Sequence, residues 1–258
     1  MNRIDTLFRE KQKDILSIYF TAGHPALDSV PVIIESLANE GVDLIEIGIP
    51  FSDPVADGPV IQRSSQQALD NGMSLKLLFS QLENIREKVS IPLILMGYLN
   101  PVLQYGIERF AEKCREIGID GTILPDLPLD LYQEQYKSTF EKYGLYNIFL
   151  ATPQTSAERY QQLDAESHGF LYMVAASSIT GMRDGFEQYQ MEYFERIRSM
   201  NLNTPRLIGF GISSNDTFRQ ACKYASGAII GSAFVNALEM QGTLKENIRE
   251  FIRGIRGN

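Results

Sequence analysis

The sequence predicts an α/β fold, a single (β/α)8 barrel over residues 1–258 with one extra helix at its N-terminus. Three observations lead there. Eight short apolar runs recur along the chain, each followed by at least one segment of helical period. No linker or low-complexity tract interrupts the alternation. The first run ends in Thr21-Ala22-Gly23-His24-Pro25, where an open doubly wound sheet would usually carry a G-x-G-x-x-G turn.

In chain order, Arg3–Lys11 reads as the additional helix, placed to cover the bottom of the barrel. The runs are Leu16–Phe20, Leu44–Gly48, Pro92–Gly97, Thr122–Leu124, Asn147–Leu150, Phe170–Val174, Arg206–Phe210 and Ala228–Ile230. Each is short and apolar on both faces, as a parallel strand buried on both sides requires. Asp28–Ser29 is a capping signal for a helix with the stripe Val30, Ile33, Ile34 and Leu37, which Gly41 ends. Ser74 precedes Leu75, Leu78, Leu82, Ile85 and Val89, and Leu244, Ile248, Phe251 and Ile255 mark the last helix. Cys114 shares a stripe with Phe110 and Ile117, and Cys222 follows Phe218 by four, so both cysteines read as core.

Composition narrows the function. Apolar residues at 44% and charged residues at 22% suit a globular chain with a core of useful size. The net charge of −8 argues against general nucleic-acid binding. Two cysteines and two histidines, with no C-x-x-C, suggest neither a disulfide scaffold nor a metal site. The N-terminal stretch lacks an apolar signal region, and no run approaches 18 apolar residues. The expectation is a cytoplasmic protein away from the membrane.

Barrel chemistry is expected at the C-terminal ends of strands. Glu46 is a lone carboxylate in the second run, on the face opposite Ile45 and Ile47. It is either a general acid/base, its pKa lifted by burial, or a structural carboxylate tied to a buried partner. The loop after it, Phe51-Ser52-Asp53-Pro54-Val55-Ala56-Asp57-Gly58-Pro59, is stiffened by proline and suited to placing a carboxylate. One of its two aspartates is expected to cap its own backbone. Gly209-Phe210-Gly211-Ile212-Ser213 and Gly231-Ser232-Ala233 end the last two strands, and Ser177-Ser178-Ile179-Thr180-Gly181 follows the sixth. Three loops rich in small residues and hydroxyls at successive strand ends point to a phosphate site. His24, before Pro25, reads as structural or solvent-facing, and His168 falls in a loop at the bottom end. Neither has the companions of a catalytic triad.

The fifteen residues Ile45-Glu46-Ile47-Gly48-Ile49-Pro50-Phe51-Ser52-Asp53-Pro54-Val55-Ala56-Asp57-Gly58-Pro59 resemble the signature of the tryptophan synthase α subunit family. So do Asn100-Pro101, Pro125-Asp126-Leu127-Pro128, Thr180-Gly181 and Gly209-Phe210-Gly211-Ile212-Ser213, in order along essentially the whole chain. The resemblance implies a TIM barrel that cleaves indole-3-glycerol phosphate to indole and glyceraldehyde 3-phosphate by a retro-aldol reaction. It implies no cofactor in this chain. Pyridoxal phosphate would belong to a β subunit, with which the chain would form an α2β2 heterotetramer.

Position by position, Glu46 resembles the family's acid/base, and Asp57 the aspartate at the indole N–H. Tyr172 resembles a tyrosine beside those carboxylates. Tyr19, Met96, Tyr98, Ile123, Pro125, Leu150 and Thr180 fall among the substrate-binding positions. Gly181, Phe210, Gly211, Ile212, Gly231 and Ser232 fall at the phosphate site, and Asp53 and Pro54 in a loop facing the partner. The chain departs from many relatives at Ser178, where they have glycine. Two other readings explain the residues less well. A sugar-phosphate isomerase or epimerase leaves the acidic loop unexplained, and a subunit that only activates its partner would not need both Glu46 and Asp57.

Overall fold

A computed structural model describes residues 1–175 and 186–257. Its strands are β1 (Ile15–Thr21), β2 (Leu44–Gly48), β3 (Leu93–Met96), β4 (Gly121–Ile123), β5 (Tyr146–Ile148), β6 (Leu150–Ala151), β7 (Leu171–Val174), β8 (Arg206–Gly209) and β9 (Gly227–Ile230). All pairings are parallel, in the order β5-β4-β3-β2-β1-β9-β8-β7-β6. The two ends of that order are consecutive in the chain. β5 pairs with β4, β6 pairs with β7, and Phe149 between them accepts from the Tyr172 N–H at 3.0 Å. The fifth predicted run is thus one barrel strand bent at Phe149, and the sheet closes there into a (β/α)8 barrel.

Period-2 alternation divides the core in two. Ile15, Leu44, Ile94, Ile123, Ile148, Tyr172, Leu207 and Ile229 meet inside the barrel. The alternate residues pack outward against the helices, with Ile18, Ile45, Ile47, Leu93 and Leu95 in the larger cluster. The N-terminal helix, Arg3–Glu10, is capped by Asn2, whose side chain accepts from the Ile4 N–H. It sends Ile4 and Phe8 into the inner cluster and plugs the N-terminal end of the barrel. Ser74 caps Leu75–Leu82 as its position predicts. Ser29 precedes the helix Val30–Asn39 but makes no side-chain cap. Its hydroxyl donates instead to the His24 and Ala26 carbonyls, tying down the turn after β1. Cys114 is fully buried and Cys222 half-buried.

Buried charge gathers at the N-terminal end. Asp120, just before β4, accepts from Arg3 at 2.9 Å, Arg86 at 2.6 Å and the Leu93 N–H at 3.0 Å. Asp43, just before β2, accepts from Lys11, Arg256 and the Leu16 N–H. Each aspartate links one strand to its neighbour, Asp120 also holding the N-terminal helix through Arg3 and Asp43 the last helix, Leu244–Arg256, through Arg256. No helix among the described residues is long and apolar enough to cross a membrane.

Candidate active site at the barrel mouth

β2 carries Glu46 inward beside Tyr19 of β1 and Ile94 of β3. The carboxyl has no solvent exposure. Its Oε1 accepts from the Ser17 hydroxyl at 2.7 Å, while Oε2 has no hydrogen-bond partner among the described residues. Burial lifts its pKa from 4.5 to about 8, opposed by the bond from Ser17. Glu46 is therefore largely protonated at neutral pH.

Asp57 enters from the loop after β2. The Tyr98 hydroxyl donates to Asp57 Oδ2 at 2.9 Å and accepts from the Ala56 N–H at 2.9 Å. Phe51 stacks on the Tyr98 ring with centroids 4.9 Å apart. One tyrosine thus clasps the loop at three points, and the loop in turn aims the carboxylate. Burial raises the Asp57 pKa, and the bond from Tyr98 works against that rise. Asp53 lies farther out. It takes the Ser52 hydroxyl rather than capping its own backbone, beside an exposed Val55.

The open cleft is walled by Tyr19, Phe51, Asp57, Met96, Tyr98 and Pro125. Ile123, Leu150 and Tyr172 lie deeper, in the apolar lining inside the barrel. Two strand glycines make room for the tyrosines. A Cβ on Gly48 would lie 2.2 Å from the Tyr19 hydroxyl, and one on Gly209 would lie 2.2 Å from that of Tyr172. Only glycine lets these rings lie flat across the neighbouring strand. Burial and the charges of Glu46 and Asp57 raise the Tyr172 pKa, and burial followed by the same carboxylates raises that of Tyr19. Both phenols stay neutral.

The loops after β8 and β9 meet this cleft from the other side. The Phe210 ring packs edge-on to Tyr172 with centroids 6.3 Å apart, and Gly231 backs onto the Tyr19 ring. Phe210 and Gly211 take φ of 70° and 78°. For a phenylalanine this is strained by about 1–3 kcal/mol, a cost found at ligand clamps and turns that the surrounding fold enforces. A short helix begins at Ser232, so its first-turn N–H groups lack intrahelical acceptors. Ile212 is buried beneath this corner. Thr180, Gly181 and the other residues of the loop after β7, Ser178 included, lie outside the described residues. Asp53 and Pro54 sit on the outer part of the β2 loop, away from the cleft wall.

Two contacts escaped the sequence reading. The residues give Tyr98 no role in holding Asp57, because its aromatic type is equally suited to a plain pocket wall. Ser17 reads as part of an apolar run. The signal was a hydroxyl at an inward position two residues from Tyr19, since a buried hydroxyl needs a partner. His24 is buried, and its Nδ1 pairs with Gln67.

A closed parallel barrel with one fully buried carboxyl and a second, half-buried one at its C-terminal mouth has the architecture of a barrel enzyme. A family model described as Tryptophan synthase alpha chain matches residues 6–254. The chain belongs to the tryptophan synthase alpha chain family. It is 59% identical to the tryptophan synthase alpha chain of Flavobacterium johnsoniae over 256 residues, covering 99% of this chain and 100% of that one. The alpha chain of Flavobacterium psychrophilum is 57% identical over 255 residues, with the same coverage. Among solved structures, a tryptophan synthase alpha chain from Legionella pneumophila superimposes with a TM-score of 0.89 at 33% identity, covering 100% of this chain and 97% of that one. Tryptophan synthase from M. tuberculosis in its aminoacrylate-bound form gives 0.85 at 30% identity, covering 99% and 100%.

Proposed function

We infer that the chain is the carbon–carbon lyase of the α reaction, cleaving indole-3-glycerol phosphate to indole and glyceraldehyde 3-phosphate. The observation that supports the site assignment is Glu46: fully buried, held through one oxygen, its other oxygen unpartnered among the described residues. The bond between indole C3 and the glycerol chain breaks once C3 is tetrahedral. Glu46, protonated at neutral pH, gives its proton to C3. Positive charge then appears at the ring nitrogen, where the Asp57 carboxylate stabilises it. The Glu46 carboxylate next takes the proton of the side-chain hydroxyl. The carbon–carbon bond breaks, its electrons return to the ring, and the side chain leaves as the aldehyde. Glu46 ends in the form in which it began.

Tyr19, Met96, Tyr98, Pro125, Ile123, Leu150 and Tyr172 supply flat apolar walls for the indole and exclude water. The phosphate lies at the corner formed by Phe210, Gly211, Ile212, Gly231 and Ser232, on backbone N–H groups and a helix start. Thr180 and Gly181, outside the described residues, belong to the same site by the family resemblance. Binding energy from that distant end orients the bond to be broken.

The chain works with a β subunit in an α2β2 assembly, in the cytoplasm, with Asp53 and Pro54 towards the partner. The α reaction needs no cofactor here, and pyridoxal phosphate belongs to the β subunit. The test is indole release from indole-3-glycerol phosphate by the purified chain, with and without a β subunit. Release that the β subunit accelerates supports the reading. Absence of indole in both settings, from folded protein, overturns it.

A further inference from the structure

We propose that Ser17 is a positioning residue for Glu46: its hydroxyl anchors Oε1, fixes the orientation of the carboxyl and leaves Oε2 as the oxygen that exchanges the proton with the substrate. This rests on the acid/base reading of Glu46 given above.

The geometry is specific. Ser17 and Glu46 are both without solvent exposure, and the 2.7 Å bond joins neighbouring strands inside the barrel. Ser17 pairs with Leu44 and Tyr19 with Glu46, so the serine lies one inward position nearer the N-terminal end. The hydroxyl therefore grips the carboxyl from below, away from the mouth. The described titratable groups that interact with Glu46 are Tyr19 on β1 and Tyr172 on β7, and Asp57 of the β2 loop acts on the same two phenols. No Lys, Arg or His among the described residues is hydrogen-bonded to it. Among the described residues the serine is its one polar tether.

A neutral carboxyl has one carbonyl oxygen, the better acceptor, and one O–H. A donor fixed on Oε1 assigns the carbonyl to that atom and the proton to Oε2. After the proton has gone to C3, the same donor holds Oε1 of the carboxylate more strongly, because the bond is now charge-assisted. Oε2 stays where it was and receives the hydroxyl proton. One atom gives and recovers the proton, and the carboxyl need not rotate between the two transfers. Without the tether the buried group can turn, and both transfers lose alignment.

The test compares Ser17→Ala and Ser17→Thr with the wild type and with Glu46→Gln, in the complex with the β subunit, by steady-state cleavage of indole-3-glycerol phosphate across pH 6–10. Ser17→Ala is expected to lower kcat about ten-fold to a hundred-fold, the scale of a misaligned reacting group, with KM nearly unchanged. Loss of the bond that favours the carboxylate raises the Glu46 pKa further, so the alkaline fall in kcat moves to higher pH. Ser17→Thr, which keeps the hydroxyl, restores most of kcat and returns the alkaline fall to its wild-type position. Should Ser17→Ala not fold, Ser17→Cys, close in size but a poor donor, is read in the same way. Wild-type kcat and pH profile in Ser17→Ala overturn the proposal while Glu46→Gln stays inactive. Equal losses in the alanine and threonine variants with an unmoved alkaline limb also overturn it, since that pattern is one of packing. Activity in Glu46→Gln would instead remove the acid/base reading itself.

Discussion

At the N-terminal end of the barrel, Asp120 is 3% exposed and accepts from two guanidinium groups and a backbone N–H. At the C-terminal end, Glu46 is completely buried and accepts from one serine hydroxyl, and Asp57 accepts from one tyrosine hydroxyl. The same chemical group is neutralised by cations at one end and, among the described residues, held only by neutral hydroxyls at the other. Pairing makes Asp120 a staple between β3, β4 and the N-terminal helix. Isolation makes Glu46 a carboxyl that keeps its proton to about pH 8 and can give it up. Buried charge stabilises where partners are complete, and is available for chemistry where they are not.

The comparison can be broken first at Glu46. Glu46→Gln keeps the shape and removes the proton, so kcat is expected to fall by roughly 10²–10⁴ or more, as one group serves two transfers. Cleavage at a tenth of the wild-type rate would place the acid elsewhere. In the wild type, kcat should decline as pH rises through about 8, where Glu46 loses the proton that C3 must receive.

The opposite end is tested by Asp120→Ala. It leaves the largely buried Arg86 guanidinium with backbone carbonyls in place of its carboxylate and the Leu93 N–H without its acceptor, so a loss of about 3 kcal/mol in unfolding free energy is expected by denaturant titration. Turnover by the fraction that remains folded should stay near wild type. A large drop in turnover without loss of stability would erase the distinction between the two ends.

Asp57→Asn should lower kcat more than it weakens substrate binding, because the charge it meets exists only on the way to cleavage. Equal effects on kcat and on the affinity for a substrate analogue would make Asp57 a binding residue only.

The stability of Glu46→Gln sharpens the contrast. Between pH 4.5 and about 8 the folded wild type holds a proton that the unfolded chain has released, so wild-type stability falls as pH rises through that window. Glutamine has no such dependence. Its advantage in Tm should be absent near pH 4.5, grow towards pH 8 and level off above it. A constant difference across this range would mean that Glu46 is not the strained group.

The smallest effect is expected at Asp53→Ala, which should reduce activation by the β subunit about two- to ten-fold while leaving the isolated chain close to wild type. Equal losses in both settings would move Asp53 into the cleft.

Much of this was legible in the residues. Eight apolar runs alternating with helical stripes define a barrel because a strand buried on both faces needs continuous apolar sequence. The position of Glu46 within such a run, and the proline-stiffened loop after it, mark the mouth. Local pattern carries that much because periodicity and backbone restriction are properties of neighbouring residues. Contacts between strands and loops are another matter. That Ser17 reaches Glu46 across 29 positions, and Tyr98 reaches Asp57 across 41, follows from the barrel register and the path of the β2 loop. The break of the fifth strand at Phe149, the left-handed turn at Phe210 and the recruitment of Ser29 to the turn after β1 are likewise settled by closure and packing. The sequence by itself determined the strands of the barrel and placed Glu46 on the second of them, with the loop of Asp57 after it. Only the tertiary structure decided how deeply each is buried and which hydroxyl it meets, because a side chain's solvation and partners are set by everything that packs around it.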